Sequence, residues 1–313
     1  MKTVFMFSGQ GAQYAGMGKD LYNNYKVAKE IFDRADEVLG YSIKDICFNG
    51  EGKLDDTEFA QPAILTMSIA AMKVIEEHGV RADMAAGLSL GEYSAYVASG
   101  AMDFEEAVAL VQKRGKFMAE AVPSGTGAMY AVIGLDTELV EEACKEAVDE
   151  GLGLAVPANY NAPGQIVIAG KTEAVTRAAE FAKEKGAKMA VRLKVSGPFH
   201  TELLKPAAEK LAPELRKMTI SPMTIPVYTN VSAEIVKSES EIIPILERQI
   251  CCPVRWEDTV RNMHKNGADT FIEIGPGRTL CGFVKRIVKG VTNVNIEDTS
   301  TLEKALAKLD ASA

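Results

Sequence analysis

Gly87-Leu88-Ser89-Leu90-Gly91 sets a serine between two glycines, and its neighbours on either side decide the fold. A short apolar run, Met84-Ala85-Ala86, precedes it. An apolar-periodic segment through Tyr93, Tyr96 and Val97 follows as far as Gly100. That order predicts a strand, a very sharp turn and a helix, the context of a nucleophile elbow. Side chains beside the serine would collide with the strand and helix backbones; glycine removes the collision and tolerates unusual φ/ψ. On such a turn Ser89 Oγ projects into a cleft, and the Leu90 N–H, at a helix N-terminus, faces a developing oxyanion.

The 313 residues suit one large domain, or one with a smaller companion, and can bury a full core. With 47% hydrophobic and 25% charged residues, the composition is that of an ordered globular chain. A net charge of −8 argues against nucleic acid as a partner. The five cysteines (Cys47, Cys144, Cys251, Cys252, Cys281) show no C-x-x-C spacing and histidine is scarce, so neither a disulfide framework nor a metal site is expected. The N-terminal apolar run, Val4 to Phe7, is too short for a signal-peptide core. No segment approaches membrane-spanning length. A cytoplasmic chain with no membrane partner is expected, working as a monomer.

Residues 1–124 read as α/β: a buried strand at Val4–Phe7, a loop from Ser8 to Gln13, and helical periodicity over Lys26–Val38 and Ala63–His78. Pro62 fits the first turn of the latter. A long helix runs from about Asp103, a plausible N-cap, to Ala121. The composition changes at Ser124-Gly125-Thr126-Gly127. From there the order is strand Ala128–Ile133, helix Thr137–Asp149, strand Leu154–Asn159, strand Gln165–Ala169, helix Thr172–Lys185 and strand Lys188–Val195. This β-α-β-β-α-β order matches a ferredoxin-like unit inserted at 125–197, with a hairpin around Asn161-Ala162-Pro163-Gly164. Residues 198–313 return to α/β, with strands Val227–Asn230 and Thr270–Ile274 and helices near 202–217, 239–250, 255–266 and 277–288.

A serine nucleophile needs a base within hydrogen-bond reach. His78 and His264 each lie in the last turn of a helix close to a glycine, where positive character complements the helix dipole. His200 instead follows the loop Ser196-Gly197-Pro198-Phe199 that leaves the inserted unit, and junction loops carry function. The order serine, acid, histidine of a plain α/β-hydrolase is not met, because acids between Ser89 and His200 fall on predicted helices. A main-chain or amide carbonyl is left to orient the imidazole.

Several stretches in order make a wider pattern: Phe7 to Gln13, Gln61-Pro62-Ala63, Gly87 to Ser94, Gln112-Lys113-Arg114-Gly115, Asn159 to Gln165, Pro198-Phe199-His200, Gln249, and Glu273 to Gly277. Over nearly its whole length the chain resembles the malonyl-CoA:acyl-carrier-protein transacylases. These are the acyltransferases of bacterial type II fatty acid synthesis, related to acyltransferase domains of polyketide synthases. The resemblance implies an α/β-hydrolase-like core with a parallel sheet plus the ferredoxin-like subdomain. It implies Ser89 as nucleophile, His200 as base, and the N–H groups of Gln10 and Leu90 as an oxyanion hole. Arg114 would grip the free malonyl carboxylate, and the Gln249 main-chain carbonyl would orient His200.

By pattern alone Arg114 is a mid-helix cation on a basic face. Its planar guanidinium, however, matches a carboxylate in a bidentate fork. Asn161 either contacts substrate or supports the His200 loop, and Phe199 resembles the pattern linked with malonyl rather than methylmalonyl groups. Ser8 and Leu88 depart from the residues relatives often carry (Pro and His), though neither side chain bears the implied chemistry. The implied substrates are malonyl-CoA and an acyl carrier protein, with no cofactor beyond the CoA and phosphopantetheine they bring. An acidic carrier needs a local basic surface on this acidic chain, for which Arg192, Lys194, Lys285 and Arg286 are candidates. Other readings remain: a trans-acting acyltransferase of a polyketide synthase, a serine thioesterase or esterase, or a silent relative that only binds carrier protein.

Overall fold

The computed structural model describes residues 2–50, 52–123 and 125–311. Its larger sheet is parallel throughout, in the spatial order β7 (Val227–Tyr228), β2 (Met84–Gly87), β1 (Thr3–Phe7), β8 (Thr270–Ile274) and β9 (Thr292–Ile296). Every residue of β1, β2 and β8 is buried. Burial on both faces is why Val4-Phe5-Met6-Phe7 reads as a continuous apolar run rather than an alternating one. Phe7 pairs with both Gly87 and Ile274, so the three central strands end level. The loops that follow them leave from one edge, the carboxyl end where open parallel sheets take their ligands.

The helix expected from Ala63 begins instead at Thr57 and runs to Glu77, with Pro62 inside it. Asp56 caps it, accepting the Glu58 N–H at 3.1 Å. A mid-helix proline costs about 3 kcal/mol. Full burial of Ile64, Leu65, Met67 and Ile69 returns about 1.5–3 kcal/mol each. The first turn also fits closely against the helix Phe104–Glu120: a Cβ on Gly115 would lie 2.3 Å from the Thr57 carbonyl oxygen. Asp103 caps this second helix as expected, accepting from Glu105 and Glu106 N–H groups.

The smaller sheet is antiparallel, in the order β4 (Ala155–Ala162), β5 (Gln165–Lys171), β3 (Gly127–Ile133) and β6 (Met189–Arg192). With the helices Thr137–Asp149 and Thr172–Glu184 it reproduces the ferredoxin-like order. Alternation sorts its two faces. Ala128, Val132, Ile166 and Ile168 pack with the helices, while Met129, Val167 and Ala169 turn to the other side and join the main core beside Met118 and Phe199.

Three expectations are corrected here. β4 continues past Asn159 to Ala162, which pairs with Gln165, with Asn161 at a break in register between Tyr160 and Ala162, and only Pro163-Gly164 turn, Gly164 at φ 66°. β6 stops at Arg192, because beyond the Leu193 N–H, which donates to Met129 O, the segment leaves for the cleft. β7 ends at Tyr228 rather than Asn230. The edge strand β9 and the helices Lys19–Asn24, Ile43–Asn49 and Thr299–Asp310 were not expected. The expected 124/125 boundary involves Ser124, and the expected end of the core Ser312 and Ala313, which lie outside the described residues. No described helix is long and apolar enough to cross a membrane.

Candidate active site

Ser89 occupies the turn between β2 and the helix Gly91–Ala98 at φ 53°, a left-handed conformation rare for a residue with a side chain. The flanking glycines are required by contact. A Cβ on Gly87 would come within 1.9 Å of the Gly91 carbonyl, and one on Gly91 within 2.2 Å of Phe7 O. His200 is also left-handed, at φ 60°, on the loop after the smaller sheet, where Thr201 Oγ1 donates to Pro198 O at 2.8 Å. The two strained residues face each other. His200 Nε2 lies 2.8 Å from Ser89 Oγ, and His200 is 4% exposed.

Nδ1 of the same ring lies 3.0 Å from Gln249 O and 3.1 Å from Cys252 O. Carbonyls only accept, so Nδ1 carries the proton and Nε2 presents its lone pair to the serine hydroxyl. Two main-chain carbonyls stand where other serine enzymes place a carboxylate. The segment that carries them is tied to the smaller sheet by Tyr160 N to Val254 O and Val254 N to Ala158 O, each 2.8 Å.

Arg114, far from lying on a solvated face, is 1% exposed. Its Nη1 donates to Gln61 Oε1 at 2.8 Å, and its Nη2 to Gln249 Oε1 at 3.0 Å and Ser89 Oγ at 3.2 Å. Its guanidinium carbon lies 5.3 Å from the centre of the Tyr93 ring, within cation–π range. Residues 89, 114, 200 and 249 thus converge, and a cleft of about 260 Å³ opens over Ser89 and His200. Gln10, Leu88, Asn161 and Phe199 line it. Among the described residues, no hydrogen bond occupies the main-chain N–H of Gln10 or of Leu90. Asn161 Oδ1 is buried without a hydrogen-bond partner.

The acyl transferase domain family matches residues 4–303. The chain belongs to that family. The malonyl CoA-acyl carrier protein transacylase of Bacillus subtilis is 46% identical over 98% of this chain and 97% of its own length. The crystal structure of the Clostridium perfringens protein of that name superposes with a TM-score of 0.96 at 47% identity, covering 100% of this chain and 98% of that one. A malonyl-transacylase solved with its holo type II polyketide-synthase acyl-carrier protein superposes with a TM-score of 0.94 at 44% identity, covering 98% and 99%.

In this acyl transferase domain the other histidine rings hydrogen-bond to main chain, His78 Nδ1 to Val74 O and His264 Nδ1 to Ala268 O. Arg192, Lys194, Lys285 and Arg286 are all exposed. Arg286 is already engaged, donating to Gln165 Oε1 and Pro163 O and tying its helix to the smaller sheet. Sequence reasoning missed Gln61, Glu92, Asn230 and the Cys252 carbonyl. Asn230 clamps the elbow, taking the Ser89 N–H on Oδ1 at 2.6 Å and donating from Nδ2 to Gly87 O at 2.7 Å. Only Gln61 and Glu92 lay within recognisable stretches, and no local pattern marks either as a site residue.

Burial holds the imidazole of His200 down to about 4, from its ordinary 6.5, and the Arg114 cation adds to the effect. The sign matters for activity. Protonation disables a base, and here it sets in only as pH falls towards 4, so kcat/KM for the acyl donor is expected to stay level from pH 8 to about 5. A pH profile of kcat/KM with its acid limb near 6.5 is the contrary result. Stability runs the same way: below 6.5 the unfolded chain takes a proton that the folded one refuses, so stability falls between 6.5 and about 4.

Proposed function

We propose that this acyltransferase moves a malonyl group from malonyl-CoA to the phosphopantetheine thiol of an acyl carrier protein, through a malonyl ester of Ser89, in fatty acid synthesis. The observation that carries the proposal is one hydroxyl held 2.8 Å from a neutral imidazole and 3.2 Å from a buried guanidinium. The names borne by relatives along the whole chain, and the carrier-protein complex of one of them, support it.

Ser89 Oγ attacks the thioester carbonyl while its proton passes to His200 Nε2. The oxyanion that forms is met by the N–H groups of Gln10 and Leu90. Collapse breaks the C–S bond, and His200 returns the proton to the departing CoA thiolate. The carrier thiol then attacks the ester, giving its proton to His200, and collapse breaks the C–O bond and restores the serine. No electrons change hands, so neither half-reaction calls for a redox cofactor. A thiol of pKa about 8.5 needs little help to leave, which makes carbonyls sufficient behind the histidine.

Arg114 receives the distal malonyl carboxylate, Asn161 offers its unpaired oxygen to the acyl donor, and Phe199, 6% exposed, crowds an α-methyl branch. The division into a core of 1–124 and 198–313 and an inserted unit of 125–197 belongs to the same proposal. It is supported by a smaller sheet whose four strands pair with one another, with a bridge to the core at Asn159 and Val254, and which keeps its own apolar cluster. All the named groups come from one chain, so a monomer suffices. Cytoplasmic work suits its five free cysteines.

Intact-mass analysis after mixing with malonyl-CoA tests the class. A malonyl adduct on Ser89, stable in water and discharged by holo carrier protein, is expected; discharge by water alone marks a thioesterase. Carrier docking is assigned to the exposed Lys194 and Lys285, on the two segments that supply the cleft-lining Leu193, Val195 and Phe283. Reversing both charges is expected to raise the carrier-protein KM about tenfold at low salt, the two rim charges together counting about 1.4 kcal/mol. The KM for malonyl-CoA should not move, and an unaltered carrier-protein KM places docking elsewhere. The complex with a polyketide carrier favours a second acceptor class, which relative kcat/KM for the two kinds of carrier decides.

A further inference from the structure

Glu92 takes no part in the transfer just described, yet its carboxylate lies at the centre of the polar network behind Ser89. It is fully buried in the first turn of the helix Gly91–Ala98. Its Oε2 accepts from Gln249 Nε2 at 2.7 Å and from the Asn230 main-chain N–H at 3.0 Å, and its Oε1 accepts from the Tyr96 hydroxyl at 3.2 Å. The Thr229 hydroxyl stands close to the same carboxylate.

Gln249 spends its other Nε2 hydrogen on Ser89 O at 3.1 Å, and its Oε1 accepts from Arg114 Nη2 at 3.0 Å. A carboxamide is nearly symmetric in shape but not in polarity, so its surroundings decide which end faces the guanidinium. Burial pushes the Glu92 carboxyl up, but the Oε2 that faces Gln249 already takes the Asn230 N–H and accepts in either protonation state. It draws the NH2 end of Gln249 and leaves the oxygen for Arg114. Turned over, Gln249 would set its oxygen against two acceptors and its N–H groups against a cation.

We propose that Glu92 is a positioning residue: through Gln249 it sets the polarity of the site that Arg114 offers to a substrate carboxylate, and through Asn230 it holds the Ser89 turn. The side-chain acceptors around Arg114 are then neutral ones, the oxygens of Gln61, Gln249 and Ser89. The acidic group stands one carboxamide away. A guanidinium paired directly with a glutamate would meet an incoming carboxylate already neutralised. One held by neutral oxygens in a buried site keeps its demand for an anion. Glu92 thereby acts on acyl selectivity without touching the acyl donor.

Resting on the malonyl-transfer reading above, the test compares kcat/KM for malonyl-CoA and acetyl-CoA in the wild type, Glu92→Leu and Glu92→Gln. In Glu92→Leu the malonyl-to-acetyl ratio is expected to fall roughly tenfold or more, the size of a coupling between contacting network residues. In Glu92→Gln it should stay within about threefold, since the amide oxygen replaces Oε2 and the NH2 faces hydroxyls that accept. A loss of folded protein scales both substrates equally and leaves the ratio untouched. Should Glu92→Leu not fold, Gln249→Met removes the carboxamide at similar length, and the same fall is expected. An unchanged ratio in the folded leucine or methionine variant, or a collapsed one in Glu92→Gln, overturns the proposal. A wild type without preference for malonyl-CoA sinks both readings. A wild type that prefers it while Glu92→Leu keeps that preference sinks this one alone.

Discussion

Ser89→Ala is expected to lower malonyl transfer by about 10⁴- to 10⁶-fold, the loss typical when a nucleophile is removed from a concerted serine site. It should leave no malonyl adduct in intact-mass spectra. The substitution is clean in structural terms. Alanine meets the same cost as serine at φ 53°, so the turn itself is not relieved. What is lost is one hydroxyl, the hydrogen-bond partner of His200 Nε2 and Arg114 Nη2. A variant that keeps transfer within about tenfold of wild type would remove serine from the mechanism, since oxyanion stabilisation alone retains far less.

Arg114→Met carries the second large effect, on substrate choice. Truncating one partner of a buried, hydrogen-bonded charge pair costs about 2–5 kcal/mol, so kcat/KM for malonyl-CoA is expected to fall by roughly 30- to 4000-fold. Acetyl-CoA has no carboxylate to lose, and its kcat/KM should change by less than about fivefold. The ratio of the two is the decisive measurement, because Gln61 Oε1 and Gln249 Oε1 lose their donor and the variant is less stable as well. Removing the cation also lifts one of the causes that depress His200, so the acid limb of the pH profile should move up. Equal losses for both acyl donors would assign Arg114 to scaffolding alone.

What the sequence disclosed divides by range of interaction. Local signals were legible: the glycines around Ser89, the Asp103 cap, and the helix Thr137–Asp149, found at its expected ends. Pro62 misled because propensity is local, whereas the burial that keeps it inside a helix is tertiary. The edge strand β9, Thr-Asn-Val-Asn-Ile, does alternate β-branched with polar residues, but it is short and asparagine favours turns over strands, so the alternation was passed over. The convergence of Ser89, His200 and Arg114 was legible by resemblance. Its supporting network was not, since Arg114 and Gln249 meet across 135 positions, and Gln249 and Glu92 across 157. Hydrogen bonds of that reach leave no periodicity in the chain.

The pair of carbonyls behind His200 has a consequence for which nucleophile can discharge the acylated serine. Burial, with the Arg114 cation adding to it, outweighs the two carbonyls and leaves the imidazole a weak base, near 4, so proton abstraction from any acceptor runs uphill. For a thiol at about 8.5 the climb is modest; for water at about 15.7 it is as steep as for the Ser89 hydroxyl, which unlike water is fixed 2.8 Å from Nε2 and beside the Arg114 cation. Weak basicity therefore works as a filter, discriminating sulfur from solvent even though solvent is far more abundant. An acidic side chain installed behind the ring would strengthen the base and, in doing so, open the ester to hydrolytic leakage.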